Sequence, residues 1–143
     1  MSKIPIEKVK KIRDETGAPV VGIKRALEEA GGDEKRAKEI LRKEGFERAE
    51  KKAEREIRAG EIFIYIHHSK QVVAYVDLGC ETDFVARTDE FQNLGKELAM
   101  QVASMNPKDK DIDDLLKQDY IRDPEKKVGD LIKEVIAKTG ENI

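Results

Sequence analysis

The spacing of apolar residues divides the chain into a helical first part and a second part that contains strands. In residues 5–45, apolar residues recur every three or four positions in three short runs, which is the period of an amphipathic helix. Gly17 and Pro19 separate the first run from the second, and Asp33 stands where it can cap the third. The pattern therefore predicts three short helices, the last of which ends at Gly45.

Residues 46–60 contain strong helix formers but only a thin apolar stripe. Its apolar members are Ala49, Ala53 and Ile57, and Gly60 follows them. A helix with so little apolar surface has no broad face to bury. We expect a solvated helix that connects two units of the protein.

From Glu61 onward the apolar period changes from 3.6 to 2. The segments EIFIYIHH and QVVAYVDLGC are rich in β-branched and aromatic residues, and only Ser69 and Lys70 separate them. This arrangement predicts an antiparallel hairpin. Both of its faces are apolar, so the ribbon needs helices on one face or a second sheet on the other.

Two further amphipathic segments supply helices for this cover. Thr88 is placed to cap a helix that begins near Phe91 and ends before Pro107, and Gly140 closes a second apolar stripe. The sequence between them is polar and rich in turn residues, and a further strand is conceivable after Gly140. We predict an α+β fold with a three-helix module at 1–45, a connecting helix at 46–60 and a sheet-and-helix core at 61–143.

Composition and charge limit the classes of partner. The chain has 143 residues, and its 28 Lys and Arg against 30 Asp and Glu give a net charge of −2. A general nucleic-acid binder is normally basic, so we expect protein partners and no direct nucleic acid. The start MSKIPIEKVKK lacks the apolar region of a signal peptide, and no apolar run approaches the ~20 residues that span a bilayer. These features predict a cytoplasmic protein without a membrane segment.

No group of residues indicates catalysis, a metal or a cofactor. His67 and His68 are neighbours on a predicted strand, where successive side chains point to opposite faces and cannot easily bind one ion. Cys80 has no base tied to it by a motif, so we expect a small buried apolar residue at a strand end. The sequence also lacks the glycine-rich phosphate loops and the nucleophile motifs of common enzymes.

The segment ETDFVA allows two interpretations of Phe84. In the first, Thr82 or Asp83 caps a short turn and the ring packs on the sheet. In the second, Asp83 and Phe84 form an exposed anchor for another protein, as at interface hot spots. Local sequence favours the first interpretation and does not decide between them.

Three segments, in order along nearly the whole chain, resemble the elongation factor Ts family. They are TGAPVVGIKRALEEAGGDEKRAKEILRKEG, CETDFVARTDEFQNLGKELAMQVA and KTGENI. The resemblance implies a guanine-nucleotide exchange factor that binds elongation factor Tu in its GDP-bound and nucleotide-free states during translation elongation. Such a factor forms no covalent intermediate, so the resemblance implies a protein that is not an enzyme.

The resemblance also implies two sets of partner-binding residues. The first set would lie against the nucleotide-binding domain of elongation factor Tu, with the aromatic ring in an apolar crevice, and would disturb the magnesium site and the phosphate-binding loop. Its members are Thr82, Asp83, Phe84 and Val85. The second set would contact another part of the same domain from the N-terminal module. Its members are Pro19, Val20, Val21, Lys24 and Arg25.

The chain departs from the family pattern at three places. Val20 to Ile23 stand where members commonly have Met-Met-Asp-Cys, the segment 106–121 is shorter, and the strand that follows KTGENI in members is not in the sequence. A single core implies the short form of the family, which pairs as a homodimer. The alternative function is that of a ubiquitin-associated-like binding module, which three-helix units of this size resemble; that function leaves the sheet and Phe84 unexplained.

Overall fold

The computed structural model describes residues 4–108 and 111–143. Its backbone contacts divide the chain into two compact units, Met1–Arg48 and Ala49–Ile143. The first unit is helical, and the second combines helices with small antiparallel sheets. The predicted α+β class is confirmed.

The first unit is built from three helices around one apolar core. They are α1 (Ile6–Thr16), α2 (Val20–Glu29) and α3 (Glu34–Lys51). Gly17 ends α1 in the left-handed conformation, and the side chain of Asp33 accepts a hydrogen bond of 2.9 Å from the amide of Arg36 at the start of α3. The helices and these two ends are as predicted. The buried core consists of Val9, Ile12, Ile23, Ala26, Leu27, Ala30, Ala37 and Leu41.

The predicted end of the third helix at Gly45 is wrong. Gly45 lies inside α3, which continues to Lys51, and residues 52–58 form turns and irregular chain. A glycine inside a helix costs about 1 kcal/mol relative to alanine, and the strong helix formers on both sides of Gly45 offset this cost. The separate connecting helix expected at 46–60 therefore does not form; its first residues are the last turns of α3.

The second unit places helices against one face of a hairpin. Its elements are β1 (Ala59–Ile66), β2 (Val73–Cys80), α4 (Asp83–Ala86), α5 (Asp89–Met105), α6 (Ile112–Lys117), β3 (Asp119–Tyr120), β4 (Asp123–Lys127) and α7 (Val128–Thr139). β1 pairs with β2 in antiparallel register, with Ile64 opposite Tyr75, and β3 pairs with β4. The hairpin and the helices α5 and α7 are as predicted, including the caps at Thr88 and Gly140.

The two faces of the hairpin have different surroundings. On the covered face, Phe63 packs against Phe91 of α5 with the ring centres 5.8 Å apart. The opposite face carries five large apolar residues that are exposed, and we call it the open sheet face. Its members are Ile62, Ile64, Ile66, Val73 and Tyr75. The helices thus cover one apolar face, as expected, and the second stays open within the described chain.

The polar segment before α7 is more ordered than its sequence indicates. It was predicted to be rich in turns, and it contains α6 and the short β3–β4 pair; residues 109 and 110 lie outside the described residues. Tyr120 is buried there and donates a hydrogen bond from its hydroxyl to Glu97; burial together with this bond raises the pKa of Tyr120 to about 12. Residues 141–143 form no strand, so the further strand expected after Gly140 is absent from them.

Candidate partner-binding site

The short helix α4 holds two of its residues in the core and presents the other two to solvent. Val85 and Ala86 are buried in the cluster formed by the hairpin, α5 and α7. Asp83 is exposed, and Phe84 is 84% exposed. The interpretation that Phe84 packs on the sheet is therefore wrong. The structure instead shows an exposed aromatic ring beside an exposed carboxylate.

Thr82 fixes the start of this helix with all of its polar atoms. Its hydroxyl oxygen accepts a hydrogen bond of 3.4 Å from the amide of Val85, which is the expected N-cap. Its carbonyl oxygen accepts hydrogen bonds from the amide of Ala86 and from the thiol of Cys80, at 3.3 and 3.2 Å. The backbone that carries Asp83 and Phe84 therefore leaves the strand in a defined direction.

Two residues that follow α7 form hydrogen bonds with the residues just before α4. The two carboxylate oxygens of Glu141 accept hydrogen bonds from the amide and from the hydroxyl of Thr82, at 2.9 and 2.7 Å. Asn142 donates from its backbone amide to Glu81 at 2.7 Å. Its side-chain amide also donates to the carbonyl oxygens of Ala53 and Arg55, at 3.2 and 2.9 Å.

Cys80 is a structural residue of this site. Its side chain is fully buried at the end of β2, as predicted. Burial, and next the negative charge of Glu141, raise the pKa of the Cys80 thiol. A thiol with a raised pKa is a poor nucleophile at neutral pH, because the thiolate is the reactive form.

The five residues predicted to bind a partner from the N-terminal module differ in their surroundings. Pro19 is the exposed residue before α2, Val21 is 81% exposed, and Lys24 is exposed. Val20 instead packs against the core of the first unit. Arg25 forms an ion pair of 2.5 Å with Glu44 of α3. The structure thus presents four of the five on the surface, with Arg25 held in an exposed ion pair, and uses Val20 for packing.

The two histidines lie differently from the sequence-based expectation. His67 and His68 lie beyond the end of β1, and their ring centres are only 4.0 Å apart, so the predicted opposite orientation is wrong. Among residues 4–108 and 111–143, no three His, Cys, Asp or Glu side chains are arranged to hold a metal ion. No helix in the described chain is both long enough and apolar enough to cross a membrane.

Comparison with known proteins identifies the family. The chain is 42% identical to Elongation factor Ts of Thermotoga petrophila over an alignment of 182 positions, which covers 99% of this chain and 92% of that protein. The chain belongs to the elongation factor Ts family. It is also 44% identical to Elongation factor Ts of Aquifex aeolicus over 143 residues, which cover 98% of this chain and 49% of that protein.

The family model described as Elongation factor TS matches residues 81–143. The matched range begins immediately before Thr82 and includes Glu141, so it contains both partners of the two hydrogen bonds between these residues. Membership places the chain among the elongation factors of protein synthesis and confirms the resemblance that the three motifs carry. The comparisons do not favour the alternative of a ubiquitin-associated-like binding module.

Sequence reasoning did not assign roles to Glu141 and Asn142. The only local signal was a polar pair directly after the glycine that ends α7, and such a pair is common after a helix. Glu141 and Thr82 are 59 residues apart, so no short-range pattern joins them. Only the fold shows that they meet.

Proposed function

We propose that this protein is a guanine-nucleotide exchange factor that acts on elongation factor Tu in the cytoplasm. It binds the GDP-bound and nucleotide-free forms, needs no cofactor, contacts no nucleic acid directly and is not an enzyme, because exchange makes and breaks no covalent bond. The observation that carries the proposal is the exposed pair Asp83–Phe84 on a fixed turn, in a chain that belongs to the elongation factor Ts family.

The geometry of the turn suits insertion into a partner. An exposed ring loses solvent contact only when a partner supplies an apolar crevice, and burial of one Phe contributes about 1.5 to 3 kcal/mol. Asp83 supplies a hydrogen-bond acceptor beside the ring, and Thr82 and Val85 hold the backbone of the pair. We assign Phe84 to an apolar crevice of the nucleotide-binding domain, where its entry disturbs the magnesium site and the phosphate-binding loop.

The N-terminal module supplies a second contact in this proposal. Pro19, Val21 and Lys24 offer apolar surface and a positive charge at the start of α2. Val20 supports this surface by packing against the core, and Arg25 becomes available to the partner by leaving Glu44. We therefore assign 1–45 to binding of elongation factor Tu, and 61–143 to nucleotide release and pairing of the core.

Nucleotide exchange depends on the difference between the affinities of the factor for the nucleotide-free and the GDP-bound partner. The factor weakens GDP binding only as far as it binds the nucleotide-free partner more tightly than the GDP-bound one, and GDP weakens binding of the factor by the same ratio. Each tenfold gain in the rate of release requires about 1.4 kcal/mol of preferential binding to the transition state. The ring of Phe84 can supply one to two such decades, and the other contacts supply the rest.

The direct test is release of fluorescent GDP from elongation factor Tu in an excess of unlabelled GDP. We expect the chain to accelerate release in a saturable manner. A release rate that is independent of its concentration would contradict the proposed function. A parallel series without magnesium tests the route, because removal of the ion should reduce the stimulation that the factor adds.

The open sheet face supports a second part of the proposal, that two copies pair as a homodimer. Five exposed large apolar residues on one surface exceed the scattered apolar residues normal for a soluble surface. Asp77, opposite Ile62, is the carboxylate on this face beside the apolar group. A face composed mainly of uncharged side chains is self-complementary, which a two-fold interface requires.

Sedimentation velocity at micromolar concentration tests the pairing. We expect a dimer for the parent chain and a monomer for Ile64→Lys, because Ile64 lies at the middle of the open sheet face and a buried unpaired charge is strongly unfavourable. Ile112→Lys is the matched control, since Ile112 is also exposed but lies on α6. A monomeric parent chain, or equal dissociation in both variants, would contradict the pairing.

A further inference from the structure

We propose that Glu141 is a positioning residue that acts through Thr82 to hold Asp83 and Phe84 in the orientation in which they engage a partner. The side chain of Glu141 spans the gap between the end of α7 and the start of α4 with two hydrogen bonds, at 2.9 and 2.7 Å. The effect of Glu141 on GDP release rests on the proposed function. Its effect on the conformation of the isolated chain does not.

The hydrogen bonds of Glu141 bear on the one residue that directs the exposed pair. Thr82 precedes Asp83, and its hydroxyl donates to Glu141 while it accepts from the amide of Val85. Because the donated proton points at the carboxylate, the lone pairs of the same oxygen are directed towards α4. Hydrogen bonds to an ionised group are roughly twice as strong as neutral ones, so the carboxylate fixes the hydroxyl more firmly than a neutral acceptor would.

The position of Glu141 is itself fixed by its neighbours. Gly140 ends α7 with a φ of 79°, a conformation that turns the chain away from the helix axis. Asn142 then anchors the chain through Glu81 and through the carbonyl oxygens of Ala53 and Arg55. Asn142 is 7% exposed and uses both amide groups, so it holds Glu141 from the other side.

The hydrogen bonds of Glu141 and Thr82 restrict the backbone that carries the exposed ring of Phe84. Phe84 has no core contact of its own to set its direction, because it is almost fully exposed. A binding loop that is already held in its bound orientation loses less conformational entropy when it engages a partner. Loss of the carboxylate should therefore leave the ring present and exposed but less often in the orientation that binds.

Amide hydrogen exchange in the isolated chain tests the positioning without any partner. In Glu141→Ala we expect the amides of Val85 and Ala86 to exchange at least about tenfold faster, since removal of a hydrogen bond to a charged group weakens the turn. Neither amide bonds to Glu141 directly, so the effect has to pass through Thr82. The amide of Leu98 in α5 should change by less than about twofold, which separates local loosening from global unfolding.

Nucleotide release from elongation factor Tu tests the functional consequence by a double-variant cycle. We expect Glu141→Ala to reduce the stimulated rate about tenfold in the parent chain, as loss of a charged hydrogen bond allows. In the background of Asp83→Ala with Phe84→Ala, the same change should reduce it less than about twofold, because the residues that it positions are absent. Glu141→Gln should restore part of the rate, since its side-chain oxygen can still accept from the Thr82 amide, whereas its NH2 group can only donate to the Thr82 hydroxyl and so reverses that bond.

Each result supports or overturns the proposal. Unchanged exchange at Val85 and Ala86 in folded Glu141→Ala would overturn it, as would an equal loss of rate in both backgrounds. Failure of the parent chain to stimulate release would contradict the proposed function alone, and hydrogen exchange would still decide the positioning. Glu125→Ala removes an exposed carboxylate elsewhere as a matched control. If Glu141→Ala does not fold, Glu141→Asp withdraws the carboxylate from Thr82 by one methylene instead and leaves the Thr82 cap in place.

Discussion

Phe84→Ala is expected to slow stimulated release of GDP from elongation factor Tu about ten- to a hundredfold, the range that burial of one Phe side chain allows. The folded chain should lose nothing, because Phe84 is 84% exposed and leaves no cavity when it is truncated. The measurement is the rate of release of fluorescent GDP at saturating factor, together with thermal unfolding of the variant followed by circular dichroism.

Two further variants show which property of Phe84 matters. Phe84→Leu keeps apolar bulk but not the aromatic shape, and we expect a rate between those of the parent chain and Phe84→Ala. Ile112→Ala is the matched control, because it truncates another exposed apolar residue away from α4. Unchanged stimulation by folded Phe84→Ala, or an equal loss in Ile112→Ala, would remove Phe84 from the mechanism.

Features set by neighbouring residues were predictable from the sequence. Asp33 and Thr88 were recognised as helix caps because a cap bonds to an amide only three residues further along, and the structure shows both bonds. Gly17 and Gly140 were recognised as helix ends for a similar reason, since both adopt the left-handed conformation that glycine tolerates. Local chemistry of this kind leaves its signature within one helical turn.

Features set by competing or distant interactions were not predictable. The sequence pattern predicts a helix end at Gly45, but the helix formers around it outweigh one glycine and α3 continues. The β3–β4 pair escaped notice because its sequence is polar and includes Pro124, both of which argue against a strand. In such short pairs the surrounding structure decides the conformation, rather than intrinsic preference.

The candidate site shows the same division between local and distant causes. The family resemblance implies that Phe84 binds a partner, whereas the local pattern favours a ring packed on the sheet. The exposed position of Phe84 contradicts the packed ring. The pattern misleads because an aromatic residue between two apolar elements usually packs on them. The hydrogen bonds from Thr82 to Glu141 could not be predicted for a different reason. The two residues are 59 positions apart, and they meet only because the fold brings the end of α7 to the start of α4.

Gly95→Ala is expected to destabilise the second unit by about 1 to 3 kcal/mol, the usual range for overpacking of a core. A Cβ atom at Gly95 would lie 2.2 Å from Cδ2 of Phe63 and 2.3 Å from two other ring atoms. The ring cannot move away without cost, because it is buried and packs against Phe91, one turn away on the same helix. Tyrosine fluorescence in a urea titration reports this unit, since Tyr65, Tyr75 and Tyr120 all lie in it.

Gly22→Ala is the matched control, because Gly22 is also helical and its added Cβ would meet only Leu41, at an ordinary 3.8 Å. There we expect a gain of about 0.5 to 1 kcal/mol in the first unit, measured by circular dichroism, because alanine is the better helix former. Combining Gly95→Ala with Phe63→Leu should cost less than the sum of the two single changes, since the shorter side chain vacates the space. A Gly95→Ala variant as stable as the parent chain would contradict this prediction. It would show that Phe63 can shift on the covered face of the hairpin without loss of stability.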